Sequence, residues 1–259
     1  MHPTYRALVD AATRPFLPAG TYPWHFARGK LRHDPVFLHL LRYGLIPGGG
    51  RLLDLGCGYG LLPALLLAAQ DRYRRGDWPA DWPPPPLGLD LLGVELRPDR
   101  VRAARAALGR RAAVEQGDIR SAPLPASAVI VILDVLLYLD HAEQCAVLSR
   151  IKDALPPGGV LLLREADAAG GFPYHVTRWA ERFAGMVRGC LWQALTYRAS
   201  EQWRELLADL GFAVRAQPID RGTPFCNVLF VATKRASPAA SGATDCPAVG
   251  AAILLDSHG

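Results

Sequence analysis

Lysine is nearly missing from this chain. Lys30, Lys152 and Lys234 are the only ones, so its 29 basic residues are almost all arginine and guanidinium groups carry the formal net charge of +5. Arginines spread along helices are usually solvated or paired, so this excess alone does not argue for a nucleic-acid partner. Cysteine is scattered as well. Cys57, Cys145, Cys190, Cys226 and Cys246 form no C-x-x-C pair, which excludes the common zinc spacings, and no metal is expected. An odd number of isolated thiols fits a reduced, cytoplasmic setting. No apolar run approaches the ~18 residues of a membrane span. The opening, Met1 to Arg6, runs into charges and prolines rather than the apolar core of a signal peptide. There is no internal repeat.

Against these absences, 50% of the 259 residues are hydrophobic, enough for a full core. The informative stretch is Arg51–Gly60. The apolar run Leu52–Leu55, broken only by Asp54, reads as a buried strand. Gly56, Gly58 and Gly60 follow at alternate positions, and a helical run begins at Leu61. Glycine there permits a sharp turn and lets main-chain N–H groups approach a ligand. Strand, glycine turn and helix form the nucleotide-binding corner of a doubly wound sheet.

Taken in order, Tyr5–Ala12 reads as a short helix, and Phe16–Trp24 is rich in proline and aromatics. Residues Trp24 to His33 are dense in histidine and cations. Asp34 and Pro35 start a helix as cap and first residue, with Val36, Phe37, Leu40 and Leu41 on its apolar face and Gly44 as its stop. Residues 71–89, with Trp78, Trp82 and a proline run, read as an irregular surface insertion. Leu91–Leu96 is the second strand and Pro98–Leu108 a helix whose inner face is Val101, Ala104 and Leu108. Ala112–Glu115 and Ala128–Leu133 are further strands. Asp140 and Glu143 make a capping box before the next helix. Val160–Arg164 is another buried strand.

Residues 165–199 break this rhythm as a long excursion. Ser200 is expected to cap a helix, and Phe212–Arg215 and Phe225–Thr233 to be the final strands. A loop joins those two, so one should run antiparallel at the sheet edge. From Ala236 onward the composition predicts a disordered tail. The whole pattern is α/β, a Rossmann-like, mostly parallel sheet covered on both faces.

Which nucleotide such a corner takes depends on its acids. A dinucleotide dehydrogenase wants a third glycine where Leu61 stands, and Asp54 occupies a place usually apolar there. Glu95, ending the second strand, can accept bonds from ribose hydroxyls. Asp118 can take an adenine amino group, with Leu96 and Ile119 covering the faces of the base. Asp54, Glu95 and Asp118 thus lie at three successive strand ends, which converge on one crevice. Acids there repel a pyrophosphate and suit a cationic adenosine ligand such as S-adenosylmethionine.

The run from Leu52 to Gly60 resembles the first motif of class I S-adenosylmethionine-dependent methyltransferases. Gly93-Val94-Glu95-Leu96 is similar to their acidic second-strand motif, and Gly117-Asp118-Ile119 to their adenine-contact motif. Ile132 to Tyr138 resembles the strand-four motif, and Pro156 to Leu162 the turn into strand five. The resemblance implies a seven-stranded sheet with an antiparallel last strand. It assigns Asp54, Gly56, Gly58, Gly60, Glu95, Leu96, Asp118, Ile119 and Asp134 to the donor site. The chain is thus expected to divide into a helical cap or lid (1–48), a methyltransferase domain (49–235) and the tail (236–259). Leu137 stands where relatives often carry histidine. Phe26 to Leu31 and Gly222 to Phe225 resemble bacterial methyltransferases encoded with aryl-polyene pigment pathways, a setting in secondary metabolism.

A methyl acceptor that must lose a proton needs a base. The candidates are Tyr138, His141 and His175, with Glu165 and Asp167 beside them. The expected acceptor is a small phenolic or acyl molecule, methylated on oxygen or carbon. A nucleic-acid methyltransferase is the alternative raised by Arg97, Arg100, Arg102, Arg105, Arg110 and Arg111. A non-catalytic binding module and an NAD-dependent oxidoreductase are the others.

Overall fold

The computed structural model describes residues 2–168, 195–219 and 226–236. His175, Trp179 and Trp192 of the excursion, the Gly222–Phe225 run and the predicted disordered tail beyond Ala236 lie outside the described residues.

Seven strands form one sheet: β1 (Gly50–Leu55), β2 (Leu89–Glu95), β3 (Ala113–Gln116), β4 (Val129–Leu133), β5 (Val160–Ala166), β6 (Phe212–Pro218) and β7 (Asn227–Lys234). Their order is β3-β2-β1-β4-β5-β7-β6. Strands β1 to β5 pair in parallel, and β7 runs antiparallel to both β5 and β6. The reversed strand is therefore β7, inside the sheet, and the edge position belongs to β6. The hydrophobic pattern explains this. Val228–Ala232 is buried throughout, as an interior strand requires, whereas β6 has exposed positions along its length.

Helices cover both faces. On one lie α1 (Pro3–Thr13), α2 (Thr21–His33), α3 (Pro35–Arg42), α4 (Leu61–Arg74) and α5 (Pro98–Leu108), with a 3₁₀ turn over Arg14–Ala19. On the other lie α6 (His141–Ala154) and α7 (Ser200–Asp209). The predicted inner face of α5 is buried at Val101, Ala104 and Leu108, and that of α3 at Val36, Phe37, Leu40 and Leu41. The Asp34 side chain caps α3 by accepting from the Val36 N–H at 3.1 Å. The α6 capping box is formed at both ends, at 2.8 and 3.0 Å.

Two local expectations are corrected. Ser200 is not the cap of α7. Ala199 holds that place, and its N–H donates to the Gln202 side chain, while Ser200 N–H donates to Asp167. The 71–89 stretch is not merely a surface insertion. Helix α4 runs on to Arg74, and Trp82 is 5% exposed, packed against Trp78 and beneath the Arg42 guanidinium. Gln70 donates to the Pro86 carbonyl and Trp78 to that of Pro83, which satisfies this irregular backbone from inside.

Candidate functional site

The sheet order reverses between β1 and β4, and the crevice of an open α/β sheet opens at such a point, beyond the strand C-termini. The glycine loop lies on its rim. The Gly56 and Cys57 N–H groups both donate to the Val94 carbonyl, so the loop folds back over β2. Gly56, Gly58 and Gly60 all have positive φ. They are not equivalent. A Cβ on Gly56 would stand 2.5 Å from Val135, and one on Gly60 2.7 Å from Leu108, whereas one on Gly58 would meet nothing within 4 Å. Gly56 and Gly60 are thus needed for close packing, and Gly58 leaves an open face. Cys57 is a packing residue, as its sequence context suggests. Its sulfur fills the space that a side chain at Gly93 would need.

Two acids lie under this loop. Asp54 and Glu95 are each 5% exposed. Burial, and then the charge of Glu95, push the Asp54 carboxyl up to about 7. The Glu95 carboxylate accepts from the Gly58 N–H and the Arg97 N–H, each at 2.9 Å, and stands 4.0 Å from Arg100. It therefore ties the loop to the end of β2 and keeps acceptor capacity for a ligand hydroxyl. Tyr59 packs between the Phe26 ring and the Arg100 guanidinium, which joins the loop to α2 and α5.

Next along the strand ends, Asp118 is held by Arg120, which also reaches Glu143 at 2.9 Å. Bonds from Arg120 hold the Asp118 carboxyl below its usual range. Ile119 is buried and Leu96 is 59% exposed, so one apolar flank of the expected base site is fixed and the other is open. Asp134, just past β4, is the one non-glycine residue with positive φ among the described residues. Its carboxylate is not free in the crevice. It pairs with Arg164 of β5, and Lys30 stands 3.6 Å away. Arg164 also binds Asp34, the α3 cap. Burial opposes the charge on Asp34, but Arg164 and then Lys30 overcome it and hold the carboxyl well below its ordinary value.

The candidate bases separate in space. Tyr138 ends a 3₁₀ turn, Leu136–Tyr138, just beyond β4 and is 36% exposed. His141 is the exposed first residue of α6. Glu165 is buried and accepts from the Leu136 N–H at 2.8 Å. The returning end of the excursion is stitched to the same corner. Gln144 donates to the carbonyls of Leu136, Leu139 and Thr196 and accepts from Arg198.

Sequence reading missed Arg164, Lys30, Gln144 and Arg198. Signals existed for two of them: an arginine closing the apolar run Val160–Leu163 is buried with its strand and must find acids, and Lys30 lies in the Phe26–Leu31 run, which carries a family resemblance.

A glycine cradle open at Gly58, above two crowded acids, fits a ligand that carries an adenosine and a positive charge. The comparisons agree with that chemistry. The model of a methyltransferase domain family matches residues 24–217. The chain belongs to the class I S-adenosylmethionine-dependent methyltransferases. A carboxy-S-adenosyl-L-methionine synthase of Chromohalobacter salexigens is 35% identical over 122 residues, covering 45% of this chain and 40% of that protein. Demethylspheroidene O-methyltransferase of Cereibacter sphaeroides is 31% identical over 177 residues, covering 67% of this chain and 42% of that protein. The chain thus spans less than half the length of these curated relatives. Among solved structures, human N-acetylserotonin methyltransferase in complex with SAM superposes with a TM-score of 0.57 at 17% identity, covering 91% of this chain and 60% of that one. A Haloferax volcanii methyltransferase solved with the Trm112 activator gives a TM-score of 0.60 at 18% identity, covering 86% and 98%. Likeness at this identity bears on the fold alone. No helix among the described residues is long and apolar enough to cross a membrane.

Proposed function

We propose that this protein transfers the methyl group of S-adenosylmethionine to a small-molecule acceptor, on oxygen or carbon of a phenolic or acyl compound. The buried Asp54–Glu95 pair beneath the glycine loop carries the donor half of this reading. Bound there, the donor supplies an already activated methyl on its sulfonium, and the chain supplies placement. Asp54 takes the positive tail of the donor. Glu95 accepts from the ribose, Asp118 from the adenine amino group, and Ile119 and Leu96 cover the base. Gly56, Gly58 and Gly60 let the main chain approach. Asp134 borders the site as a partner of Arg164 and Lys30. In-line placement of donor and acceptor can be worth about 7–11 kcal/mol, so no covalent protein intermediate is needed. Where the acceptor must lose a proton, Tyr138, His141 and His175 are the proposed bases. The helices of residues 1–48 serve as the cap on this side of the crevice.

A small acceptor is favoured over nucleic acid because four of the six arginines around α5 hold partners within the protein, while Arg102 and Arg110 are exposed. Arg97 pairs with Asp99, Arg100 stands by Glu95, Arg111 pairs with Asp71, and Arg105 donates to the Val114 carbonyl. The name of the Cereibacter relative, an O-methyltransferase acting on demethylspheroidene, points the same way. The likeness of Phe26 to Leu31 to methyltransferases of pigment pathways supports a role in secondary metabolism.

Calorimetry with S-adenosylhomocysteine tests the donor site. Wild type should bind, and Asp54→Ala and Glu95→Ala should each lose binding. Normal affinity in both variants would refute the assignment. Labelled-methyl transfer to a panel of phenols, acyl compounds and tRNA tests the acceptor, and a preference for tRNA would reject the small-molecule reading.

A further inference from the structure

An open cavity of about 370 Å³ lies between the N-terminal segment and helix α5. Ala19 and Pro23 wall it on one side, Ala103 and Ala106 of α5 on the other, and Tyr59 of the glycine loop lines it as well. The volume is within the range of small-molecule sites. None of the residues assigned to the donor lines it. Helix α5 starts just past Glu95, at the C-terminal end of β2, and runs back to the start of the parallel strand β3. From Asp99 to Ala106 it covers about 10 Å. The cavity therefore follows the flank of α5 away from the crevice and from Tyr138 and His141, which come after β4.

The charged side chains of this cavity are Asp99 and Arg102. Asp99 is committed, accepting from Nε and Nη2 of Arg97 at 3.2 Å each. The Arg102 guanidinium is exposed, and among the described residues no hydrogen bond or ion pair reaches it. The Tyr59 hydroxyl likewise has no hydrogen-bond partner among the described residues. Burial pushes that hydroxyl up from its ordinary value, so it stays protonated and able to donate. The remaining walls are apolar, and an aromatic row leads into them. Tyr22, 64% exposed, stacks on Phe26 at 6.3 Å, and Phe26 packs on Tyr59 at 5.3 Å.

We propose that this cavity binds an aromatic carboxylate, which acts as an effector of the donor site. The carboxylate meets the Arg102 guanidinium and the Tyr59 hydroxyl, both donors with nothing else to satisfy. The ring covers Pro23, Ala103 and Ala106, which a bare inorganic anion would leave wet. Asp99 does not oppose it, because Arg97 balances that charge. The route to the donor is short. Tyr59 lies between Gly58 and Gly60, and beneath its ring stands Arg100, 4.0 Å from Glu95. The Gly58 N–H donates to that same Glu95. A ligand on Tyr59 holds the loop in place, so the donor meets a loop with less freedom to lose. The effector role rests on the donor reading above, whereas the site itself does not.

Calorimetry with 4-phenylbutyrate should show binding to wild type. The uncharged 4-phenylbutyramide should bind about tenfold more weakly, the scale of one charge-assisted hydrogen bond. Arg102→Gln should bind the two alike. Ala106→Trp, at an exposed helical position, should bind neither while melting at the wild-type temperature. Saturating 4-phenylbutyrate should tighten S-adenosylhomocysteine by about fivefold, and by reciprocity the nucleoside should tighten 4-phenylbutyrate by the same factor. Wild type that ignores 4-phenylbutyrate, or Arg102→Gln that binds it unchanged, overturns the site. Binding that leaves S-adenosylhomocysteine affinity unaltered overturns the effector role. Wild type that takes 4-phenylbutyrate but no S-adenosylhomocysteine overturns the donor reading, and the effector role with it, while the site stands.

Discussion

Near neutral pH the Asp54 carboxyl is close to half ionised, because burial and the charge of Glu95 push it up to about 7. The sign of the consequence follows from linkage. A cation seated beside Asp54 favours the ionised form, so donor binding expels a proton whenever the pH lies below that value. Affinity for S-adenosylhomocysteine should fall as pH drops from 8 to 6, approaching about tenfold per unit at the acid end. Titrations at pH 6, 7 and 8 measure this, and a flat profile would detach Asp54 from the ligand. Stability should move the other way. The ligand-free protein holds this proton more tightly than the unfolded chain, so stability from Asp54 is fully present at low pH and is lost as pH rises toward about 7. Asp54 and Glu95 were legible in the sequence because each lies at or one residue before the end of an apolar run that has to be a strand. Lys30 and Arg164 were not. Their partners are distant in the chain, and only the folded topology brings residues 30, 34, 134 and 164 together.

At the scale of elements, the glycine loop separates packing from access. Gly56→Ala places a Cβ 2.5 Å from Val135 on a residue with positive φ, so it should destabilise the protein by several kcal/mol. Gly58→Ala meets no neighbour and pays only for its backbone, about 1 kcal/mol. Urea melts should separate the two variants by this difference. If they lose equal stability, Val135 yields and the loop is softer than its packing implies. The Arg164 bridge makes a second element-scale prediction. Arg164→Met leaves Asp34 and Asp134 without their main partner, and removing one side of a buried pair costs about 3–5 kcal/mol. A loss under about 1 kcal/mol in the same assay would mean that Lys30 alone satisfies both acids. The strands, most helices and the Asp34 and Asp140 caps were readable here because apolar period and cap chemistry are local, whereas helix α2 and the Ala199 cap were not. The position of β7 was not. A loop between the last two strands announces a reversal, but strand order depends on which edge the incoming strand can still reach.

For the molecule as a whole, the two faces of the sheet were expected from the alternation of strands and helices, and the cores on either side conform to it. How the first helices join that arrangement could not be read from their mixed composition. Tyr5, Leu8, Val9, Ala12 and Phe16 are each at most 2% exposed and belong to the same core as Leu52 and Leu162. The Tyr5 hydroxyl donates to the Leu31 carbonyl at 2.8 Å, across the turn between α1 and α2. The methyltransferase family model, however, matches from residue 24. The matched span and the folded unit therefore have different borders in this protein. A chain shortened to start at residue 24 would keep every recognisable motif and strip one wall from the hydrophobic interior. It should be recovered in inclusion bodies or as a species that melts without cooperativity, whereas a soluble, cooperatively folding product would show that the borders coincide after all. If they do not, the residues before the matched span decide whether the recognisable ones exist in a folded state.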